Sequence, residues 1–309
     1  MRVMALGTSS GRPTATRNVS AVAIDLGRRW VLVDAGEGTQ HQIARFGLKP
    51  SRLAAVFITH LHGDHVLGLP GLLASLDMDG RTDPIRVVGP VGLARWLEVT
   101  GEVLNLEPSY GLTVVEQPDS ATPGEAGPLR DVGEVEGFRV KSLPLRHRLP
   151  AHGYRFTEPD HPGRFDVAMA ERLGVVEGPD FGRLQAGDEV RVGDTVVRPD
   201  QVLGPPRAGQ VVVVCTDTVP CAAGVELARG ASLLVHEATY LDHERDMAEL
   251  WLHSTAAGAA RVAAEAGVGR LLLTHFSSRY VDDRGHLAEA RAVFPASDVA
   301  QEGEWLEVP

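Results

Sequence analysis

Short apolar runs alternate with amphipathic stretches along the first third of the chain. The runs have the length and side-chain content of buried strands, and the stretches between them repeat apolar residues at helical spacing. Gly47 suits the end of one such helix and Pro70 the first turn of another. We predict strands at Val3–Leu6, Ser20–Asp25, Trp30–Asp34, Leu53–Thr59 and Ile85–Val88, and helices at Glu37–Phe46, Leu69–Leu76 and Gly92–Thr100.

The same alternation returns in the last third of the chain. Apolar strands that alternate with helices are typical of a layered α/β fold, because each helix covers a face of the sheet. The sequence therefore predicts an α/β protein. We predict further strands at Val140–Leu145, Val211–Thr216, Leu233–Glu237 and Arg270–His275, and an alanine-rich helix at Thr255–Glu265.

The segment Phe156–Arg207 does not follow this alternation and contains many glycines and prolines. About fifty residues exceed the usual length of a surface loop, so we interpret the segment as an inserted arm that projects from the core. Within it, Leu184–Val197 predicts a hairpin that turns at Gly187 or Gly193.

Composition and charge restrict the function classes. The chain has 309 residues, of which 43% are hydrophobic, and a formal net charge of −11, so it should be globular and a poor non-specific binder of nucleic acid. Cys215 and Cys221 are too few for a disulfide framework. Neither a signal-peptide pattern nor a membrane-length apolar run is present, so we expect a soluble cytoplasmic protein.

The strongest chemical signal is the segment Thr59–His65, which reads THLHGDH directly after a predicted strand. His60, His62, Asp64 and His65 supply three imidazoles and a carboxylate, which are ligand types that zinc accepts. On a turn after a strand, alternate side chains can face one metal ion while the remaining ones face a second ion. We therefore predict a zinc-dependent hydrolase.

Further ligands must come from elsewhere, because a zinc site needs three or four per ion. His275 and Asp217 follow predicted strands, which is where α/β folds place ligands, and His147 follows Val140–Leu145. These three residues are our candidates. By contrast, we expect His286, which lies in a polar stretch, to be at the surface.

The THLHGDH segment resembles the signature of the metallo-β-lactamase superfamily, and the rest of the chain resembles one branch of it, ribonuclease Z, the tRNA 3′-processing endonuclease. The resemblance covers nearly the whole chain. It includes a TDT, HEAT, HST order that separates this branch from glyoxalase-like and lactamase-like relatives. The matching motifs are LGTSSG at Leu6–Gly11, Arg17-Asn18, DAGEGTQHQ at Asp34–Gln42, GLPGLL at Gly68–Leu73, HGYR at His152–Arg155, TDT at Thr216–Thr218, HEAT at His236–Thr239, HST at His253–Thr255 and THFSSRY at Thr274–Tyr280.

The resemblance implies a four-layer αββα metallo-β-lactamase-like sandwich, formed as one domain over residues 1–309. The inserted arm, at about residues 156–207, resembles the exosite with which the family grips tRNA. Such enzymes are commonly homodimers, in which one subunit's arm holds the tRNA that the other cuts.

The resemblance also implies two Zn²⁺ ions per subunit, with Mn²⁺ or Co²⁺ as substitutes. The metal ligands carried over by position are His60, His62 and His147 for one ion, Asp64, His65 and His275 for the other, and Asp217 as the bridge. The family's general acid corresponds to His253 and its orienting carboxylate to Glu237, while Asp64 also helps to orient the attacking group. The substrate contacts carried over or inferred from charge are Arg279, Arg17, Asn18 and Arg183.

The implied reaction is removal of the 3′ trailer of precursor tRNA by phosphodiester hydrolysis, with a 3′-hydroxyl left on the tRNA and a 5′-phosphate on the trailer. The alternative is a small-molecule phosphodiesterase or an arylsulfatase-type hydrolase on the same fold, which needs no arm. A third class is a non-catalytic RNA-binding module that has kept the fold. The complete set of metal ligands in this sequence argues against it, because such a module does not need them.

Overall fold

The computed structural model describes residues 1–120 and 122–309. The strands over these residues include all the predicted runs, but β7, β8 and β10, which are as long as the predicted strands, and several short strands were not predicted. They are β1 Arg2–Gly7, β2 Ser9–Ser10, β3 Ala21–Asp25, β4 Trp30–Val33, β5 Leu53–Phe57, β6 Ile85–Pro90, β7 Leu112–Gln117, β8 Arg130–Val135, β9 Phe138–Leu145, β10 Ala151–Thr157, β11 Val190–Val192, β12 Thr195–Val197, β13 Val211–Cys215, β14 Leu233–Glu237, β15 Arg270–Thr274, β16 Phe276–Ser277, β17 Ser297–Val299 and β18 Trp305–Glu307.

The four predicted helices correspond to α1, α3, α4 and α9, whereas α2, α7, α8, α10 and two short helices inside the predicted arm were not predicted. Thr255 caps one helix by accepting a hydrogen bond from the Gly258 N–H, and Gly267 ends it at a φ of 64°. The α-helices are α1 Thr39–Arg45, α2 Gly63–Val66, α3 Leu69–Met78, α4 Leu93–Leu104, α5 Val167–Arg172, α6 Pro179–Gln185, α7 Ala222–Ala228, α8 Arg245–Trp251, α9 Ala256–Ala266 and α10 Arg284–Val293.

Two mixed sheets carry the fold. The first has the strand order β18-β1-β3-β4-β5-β6-β7 and the second the order β17-β15-β14-β13-β10-β9-β8. In the first sheet β4, β5, β6 and β7 are parallel, and in the second β13, β14, β15 and β17 are parallel. The remaining pairs within these two sheets are antiparallel.

The two sheets pack face to face, because alternate residues of their strands are apolar and buried. Phe57 of β5 meets Tyr154 and Phe156 of β10, with ring centroids 5.3 and 5.0 Å apart. The outer face of the first sheet is covered by α1, α3 and α4, and that of the second by α7, α9 and α10. The predicted αββα sandwich of the α/β class is therefore confirmed.

Residues 158–209 form a separate compact unit, while residues 1–157 and 210–309 form the other. The smaller unit has its own core, around Leu184 and Val190. The predicted hairpin spans only β11 and β12, because Pro179 starts a helix that ends at Gln185 and is followed by Gly187, where φ is 95°. Leu184 is thus helical and not part of the hairpin.

The expectation that His286 lies at the surface is wrong. His286 is on α10 and fully buried, with its ring 4.9 Å from the Phe276 ring and 4.7 Å from the Tyr280 ring. The expectation was based on the polar residues around His286 in the sequence. It missed that one face of α10 packs against the core.

Among the helices of the described residues, none combines the length and the apolar character that a membrane span requires.

Candidate metal centre and active site

The ligand-type side chains lie just beyond the carboxyl ends of parallel strands in both sheets. Asp34 and His275 directly follow β4 and β15, and Asp217 follows β13 after one residue. These three residues have positive φ angles of 62°, 59° and 50°, which cost a non-glycine residue about 1–3 kcal/mol each. The surrounding fold must stabilise this backbone, and such strain is concentrated at functional sites.

One group of ligand atoms converges around His62. The His62 Nδ1 atom lies 2.9 Å from His60 Nε2 and 3.2 Å from His147 Nε2. The Oδ2 atom of Asp217 lies 3.5 Å from His60 Nε2 and 3.8 Å from His147 Nε2. Three imidazole nitrogens and one carboxylate oxygen thus surround one point, which we call cluster A.

The other carboxylate oxygen of Asp217 belongs to a second group, which we call cluster B. Asp217 Oδ1 lies 3.2 Å from His65 Nε2 and 3.1 Å from His275 Nε2. Those two nitrogens are 3.3 Å apart, and Asp64 Oδ2 lies 3.4 to 3.5 Å from both. Asp217 therefore joins the two clusters through its two oxygens.

These donor sets fit metal ions. A tetrahedral ion with bonds of about 2.1 Å separates its ligand atoms by about 3.4 Å, which is close to the spacings in both clusters. Burial lowers the pKa of His60 and of His147, which favours the neutral imidazoles that bind metal. Among the described residues, the buried Asp217 Oδ1 atom makes no hydrogen bond, although His65 Nε2 and His275 Nε2 lie 3.2 and 3.1 Å from it. A buried carboxylate oxygen without a partner is costly unless a cation compensates it.

Two cluster ligands are oriented by groups close to β4 and β5. His65 Nδ1 lies 2.7 Å from Asp34 Oδ2, so its proton is held there and Nε2 faces cluster B. Asp34 also accepts hydrogen bonds from the Thr59 N–H and hydroxyl, and that hydroxyl lies 3.1 Å from His60 Nδ1. Such partners fix the tautomer and the direction of a metal-binding imidazole.

The histidines from the second sheet have partners of the same kind. His275 Nδ1 lies 2.9 Å from the Thr239 hydroxyl, and His147 Nδ1 donates to the Leu252 carbonyl at 2.9 Å. The motifs did not assign roles to Asp34, Thr239 or Leu252. Asp34 carried a usable signal, because it follows a buried strand as Asp217 does.

His253 and Glu237 form a pair beside the clusters. Glu237 is fully buried, and one of its oxygens accepts hydrogen bonds from His253 Nδ1 at 2.9 Å and from the Thr218 N–H at 2.7 Å. Its other oxygen accepts from the Thr239 hydroxyl at 2.6 Å. Burial alone would lower the pKa of His253, but the Glu237 carboxylate outweighs it and raises that pKa to about 9. Glu237 thus favours the protonated form of this imidazole, which is the form that can donate a proton.

A cavity of about 410 Å³ opens beside both clusters. His62, Asp64, His147, Asp217 and His253 all line it, so the metal-ligand candidates and the proton-donor candidate face one space. The Asp64 carboxylate is also fixed by the Gly11 N–H, which donates to its Oδ2 at 2.7 Å.

The predicted substrate contacts near the N-terminus lie outside the described lining of this cavity. Arg17 donates to the Tyr280 carbonyl at 2.9 Å, and its guanidinium lies 5.6 Å from the centre of the Phe276 ring. The Asn18 side chain donates to the Glu37 carbonyl at 2.9 Å. Both side chains therefore hold a loop that lies at the edge of the cavity. Val19, which follows this loop, and Glu37 form part of the cavity wall.

The other two predicted contacts also make internal bonds. Arg279 pairs with Glu244 and lies 5.0 Å from the centre of the Tyr240 ring, yet 40% of its side chain remains exposed. Arg183, on α6 of the smaller unit, pairs with Asp180 at 3.3 Å. Exposed cations of this kind can exchange a carboxylate partner for a phosphate.

Comparison with known proteins agrees with this geometry. A family model described as "Beta-lactamase superfamily domain" matches residues 29–180. The chain is 47% identical to Ribonuclease Z of Synechococcus sp. (strain WH7803) over 98% of this chain and 94% of that protein. It is 46% identical to Ribonuclease Z of Salinibacter ruber over 97% and 92%, respectively. The crystal structure of human tRNase Z, short form, matches with a TM-score of 0.72 and 29% identity over 100% of both chains.

The αββα sandwich with a histidine and aspartate metal site defines a member of the metallo-β-lactamase superfamily. Within that superfamily, the chain belongs to the ribonuclease Z family, whose members are hydrolases that process the 3′ end of tRNA. The fold class, the family and the class of enzyme expected from the sequence are all confirmed.

Proposed function

We propose that the chain is a zinc-dependent endoribonuclease that cuts precursor tRNA at the start of its 3′ trailer and uses His253 to protonate the leaving oxygen. The observation that supports this proposal most directly is that two ligand clusters share Asp217 and lie beside the buried Glu237–His253 pair. Residues of both clusters and His253 line one cavity. Hydrolysis of the phosphodiester gives a 3′-hydroxyl on the tRNA and a 5′-phosphate on the trailer.

We propose two Zn²⁺ ions per chain, one at each cluster, with Mn²⁺ or Co²⁺ as substitutes. Imidazole nitrogen and carboxylate oxygen at tetrahedral spacing favour zinc. When bound, such a pair of ions polarises the phosphoryl group, lowers the pKa of water and neutralises charge on the transferred phosphate. The acidic chain needs this compensation, because its formal net charge is −11 and its substrate is a polyanion.

The proton balance of the reaction assigns a task to His253. Water attacks phosphorus, and the bond from phosphorus to the 3′-oxygen breaks. That oxygen would leave as a poor alkoxide unless it receives a proton. His253 donates the proton from Nε2, since Nδ1 is held by Glu237. Asp64, whose carboxylate accepts a hydrogen bond from the Gly11 N–H, orients the attacking water.

The first test of this function is to map both product ends after zinc-loaded protein cuts a precursor tRNA. We expect a single cut after the discriminator base, a 3′-hydroxyl on the tRNA and a 5′-phosphate on the trailer. A cyclic or 3′-phosphate on the tRNA would contradict the proposal, because the proton would then have gone to the other oxygen.

We propose that residues 158–209 bind tRNA, with Arg164, Arg172 and Arg183 as phosphate contacts. These arginines belong to a unit with its own core, so they sit on a stable support. Arg279, Arg17 and Asn18 would then bind or position the RNA near the cleavage site. Arginine suits this task because its guanidinium recognises phosphate through two N–H groups.

Deleting Glu158–Gly209 tests this assignment. Thr157 of β10 pairs with Val211 of antiparallel β13, so a short glycine-containing turn can rejoin the two strands. We expect cleavage of precursor tRNA to fall by about 10²-fold or more, because several phosphate contacts are lost. Hydrolysis of bis(p-nitrophenyl) phosphate should remain within about threefold, because the clusters lie wholly in the larger unit.

The same variant also tests whether the protein acts as a homodimer whose subunits share substrate. Mixing the deletion variant with His253→Ala should restore part of the tRNA cleavage that each lacks alone. No recovery after subunit exchange would contradict the shared arrangement. Equal loss of both activities in the deletion variant would show instead that the larger unit fails to fold without residues 158–209.

A further inference from the structure

Arg148 and Trp251 form a stacked pair in the wall of the active-site cavity. The Arg148 guanidinium lies 4.8 Å from the centre of the Trp251 ring, which is a cation–π arrangement. Both residues line the same cavity as the clusters and His253. Trp251 is 41% exposed, although tryptophan rings are mostly buried in folded proteins. Among the described residues, no carboxylate lies within ion-pair distance of Arg148, so its charge is available to a ligand.

The backbone holds this pair beside the proton donor. His147 donates to the Leu252 carbonyl at 2.9 Å, which ties the segment before Arg148 to the segment after Trp251. Leu252 ends α8 with a φ of 57°, and His253 follows it. The rings of His147 and His253 are 5.0 Å apart. The stacked pair is therefore on the His253 side of the cavity.

We propose that Arg148 and Trp251 bind the last nucleotide of the tRNA, with its base stacked on the exposed indole and a flanking phosphate held by the guanidinium. This inference rests on the proposed function, because His253 marks the tRNA side of the cut only if it protonates the leaving 3′-oxygen. That oxygen belongs to the last tRNA nucleotide, so the groups around His253 meet this nucleotide rather than the trailer.

Stacking decides what kind of substrate the pair selects. Every base has a π face, so an indole binds any unpaired base with little regard to sequence. A base inside a duplex has no free face to offer. The pair therefore selects an unpaired nucleotide at the cut and accepts all four bases there. Such recognition suits an enzyme that must process many tRNAs.

An abasic substitution identifies the nucleotide that stacks on Trp251. Three precursors are compared in single-turnover cleavage: an intact one, one abasic at the last tRNA nucleotide, and one abasic at the first trailer nucleotide. On the intact precursor, Trp251→Ala should slow cleavage about 10- to 100-fold, and Trp251→Phe about threefold or less. The control variant is Leu250→Ala, since Leu250 is 68% exposed on the same helix and lies outside the described cavity wall.

The decisive comparison is whether the effect of Trp251→Ala depends on the presence of the base at the last tRNA nucleotide. The precursor abasic at the last tRNA nucleotide should be cut slowly by the unmodified protein, and Trp251→Ala should slow it no further. Arg148→Ala should still slow cleavage of that abasic precursor, because the phosphate that the guanidinium holds remains. A full Trp251→Ala effect on that abasic precursor would overturn the proposal. So would loss of the effect only when the trailer nucleotide is abasic.

Cleavage of the intact precursor separates failure of the proposed function from failure of the stacking inference. If the unmodified protein does not cut intact precursor at the trailer junction, the proposed function fails, and this inference fails with it. If it cuts there but Trp251→Ala is equally harmful with and without the base, only the stacking inference fails.

Discussion

Replacing Asp217 with asparagine should reduce the bound metal from two ions per chain to one or fewer. It should also slow cleavage of precursor tRNA by about 10³-fold or more. The carboxylate reaches cluster A through Oδ2 and cluster B through Oδ1, and both oxygens face imidazole nitrogens. An amide keeps the size but has one oxygen, so one cluster must lose its shared ligand. Metal-ion catalysis contributes several kcal/mol, which corresponds to a factor of this order.

Metal analysis after gel filtration, together with single-turnover cleavage, measures both effects. Asp246→Asn is the matched control, because Asp246 is an exposed carboxylate on α8. We expect that control to keep both ions and its full rate. An Asp217→Asn protein that retains two ions and cuts RNA at a normal rate would contradict the shared-ligand arrangement.

Replacing His253 with alanine should slow cleavage of precursor tRNA by about 10²- to 10⁴-fold while both metal ions stay bound. The loss follows from the missing proton at the 3′-oxygen. Hydrolysis of bis(p-nitrophenyl) phosphate should fall only about threefold, because its leaving group departs as a stable anion without a proton. Glu237→Gln should have a smaller effect in the same direction, because it removes the charge that raises the pKa of His253.

His243→Ala is the control for the His253 variant, because His243 is an exposed histidine nearby in sequence. It should leave both substrates and the metal content unchanged. Loss of zinc from His253→Ala would contradict the proton-donor assignment. It would mean instead that His253 acts as a ligand, a reading that its 4.0 Å distance from Asp217 Oδ2 makes worth testing.

The sequence predicted the ligand candidates because their signals are local. His60, His62, Asp64 and His65 form one short motif, and Asp217 and His275 follow apolar runs at the ends of strands. Parallel strands bring such ends to one edge, so a pattern along the chain becomes proximity in space. The structure gathers all of them, together with His147, into two clusters that share one carboxylate.

The orienting groups could not be predicted in the same way. Thr239 and the Leu252 carbonyl act through contacts between distant segments, and the Leu252 carbonyl belongs to the backbone, which no motif records. The positive φ angles at Asp34 and Asp217 likewise depend on the tertiary structure that stabilises them. His286 shows the same limit, because its burial depends on the ring packing of Phe276 and Tyr280.

The Arg148–Trp251 pair was also beyond sequence reasoning. The two residues are far apart along the chain and meet where His147 donates to the Leu252 carbonyl, directly after α8. A tryptophan before an HST motif has no chemical meaning until its ring is found in the cavity wall. Contacts to the substrate are therefore the part of the site for which the fold was needed most.

The most direct test of the account is cleavage of a precursor tRNA whose scissile 3′-oxygen is replaced by sulfur. A thiolate leaves without a proton, so the substitution removes the task assigned to His253. We predict that His253→Ala cuts this precursor within about threefold of the unmodified protein, although it is about 10²- to 10⁴-fold slower on the oxygen substrate. An equal defect on the two substrates would contradict the claim that His253 protonates the leaving oxygen beside the metal clusters.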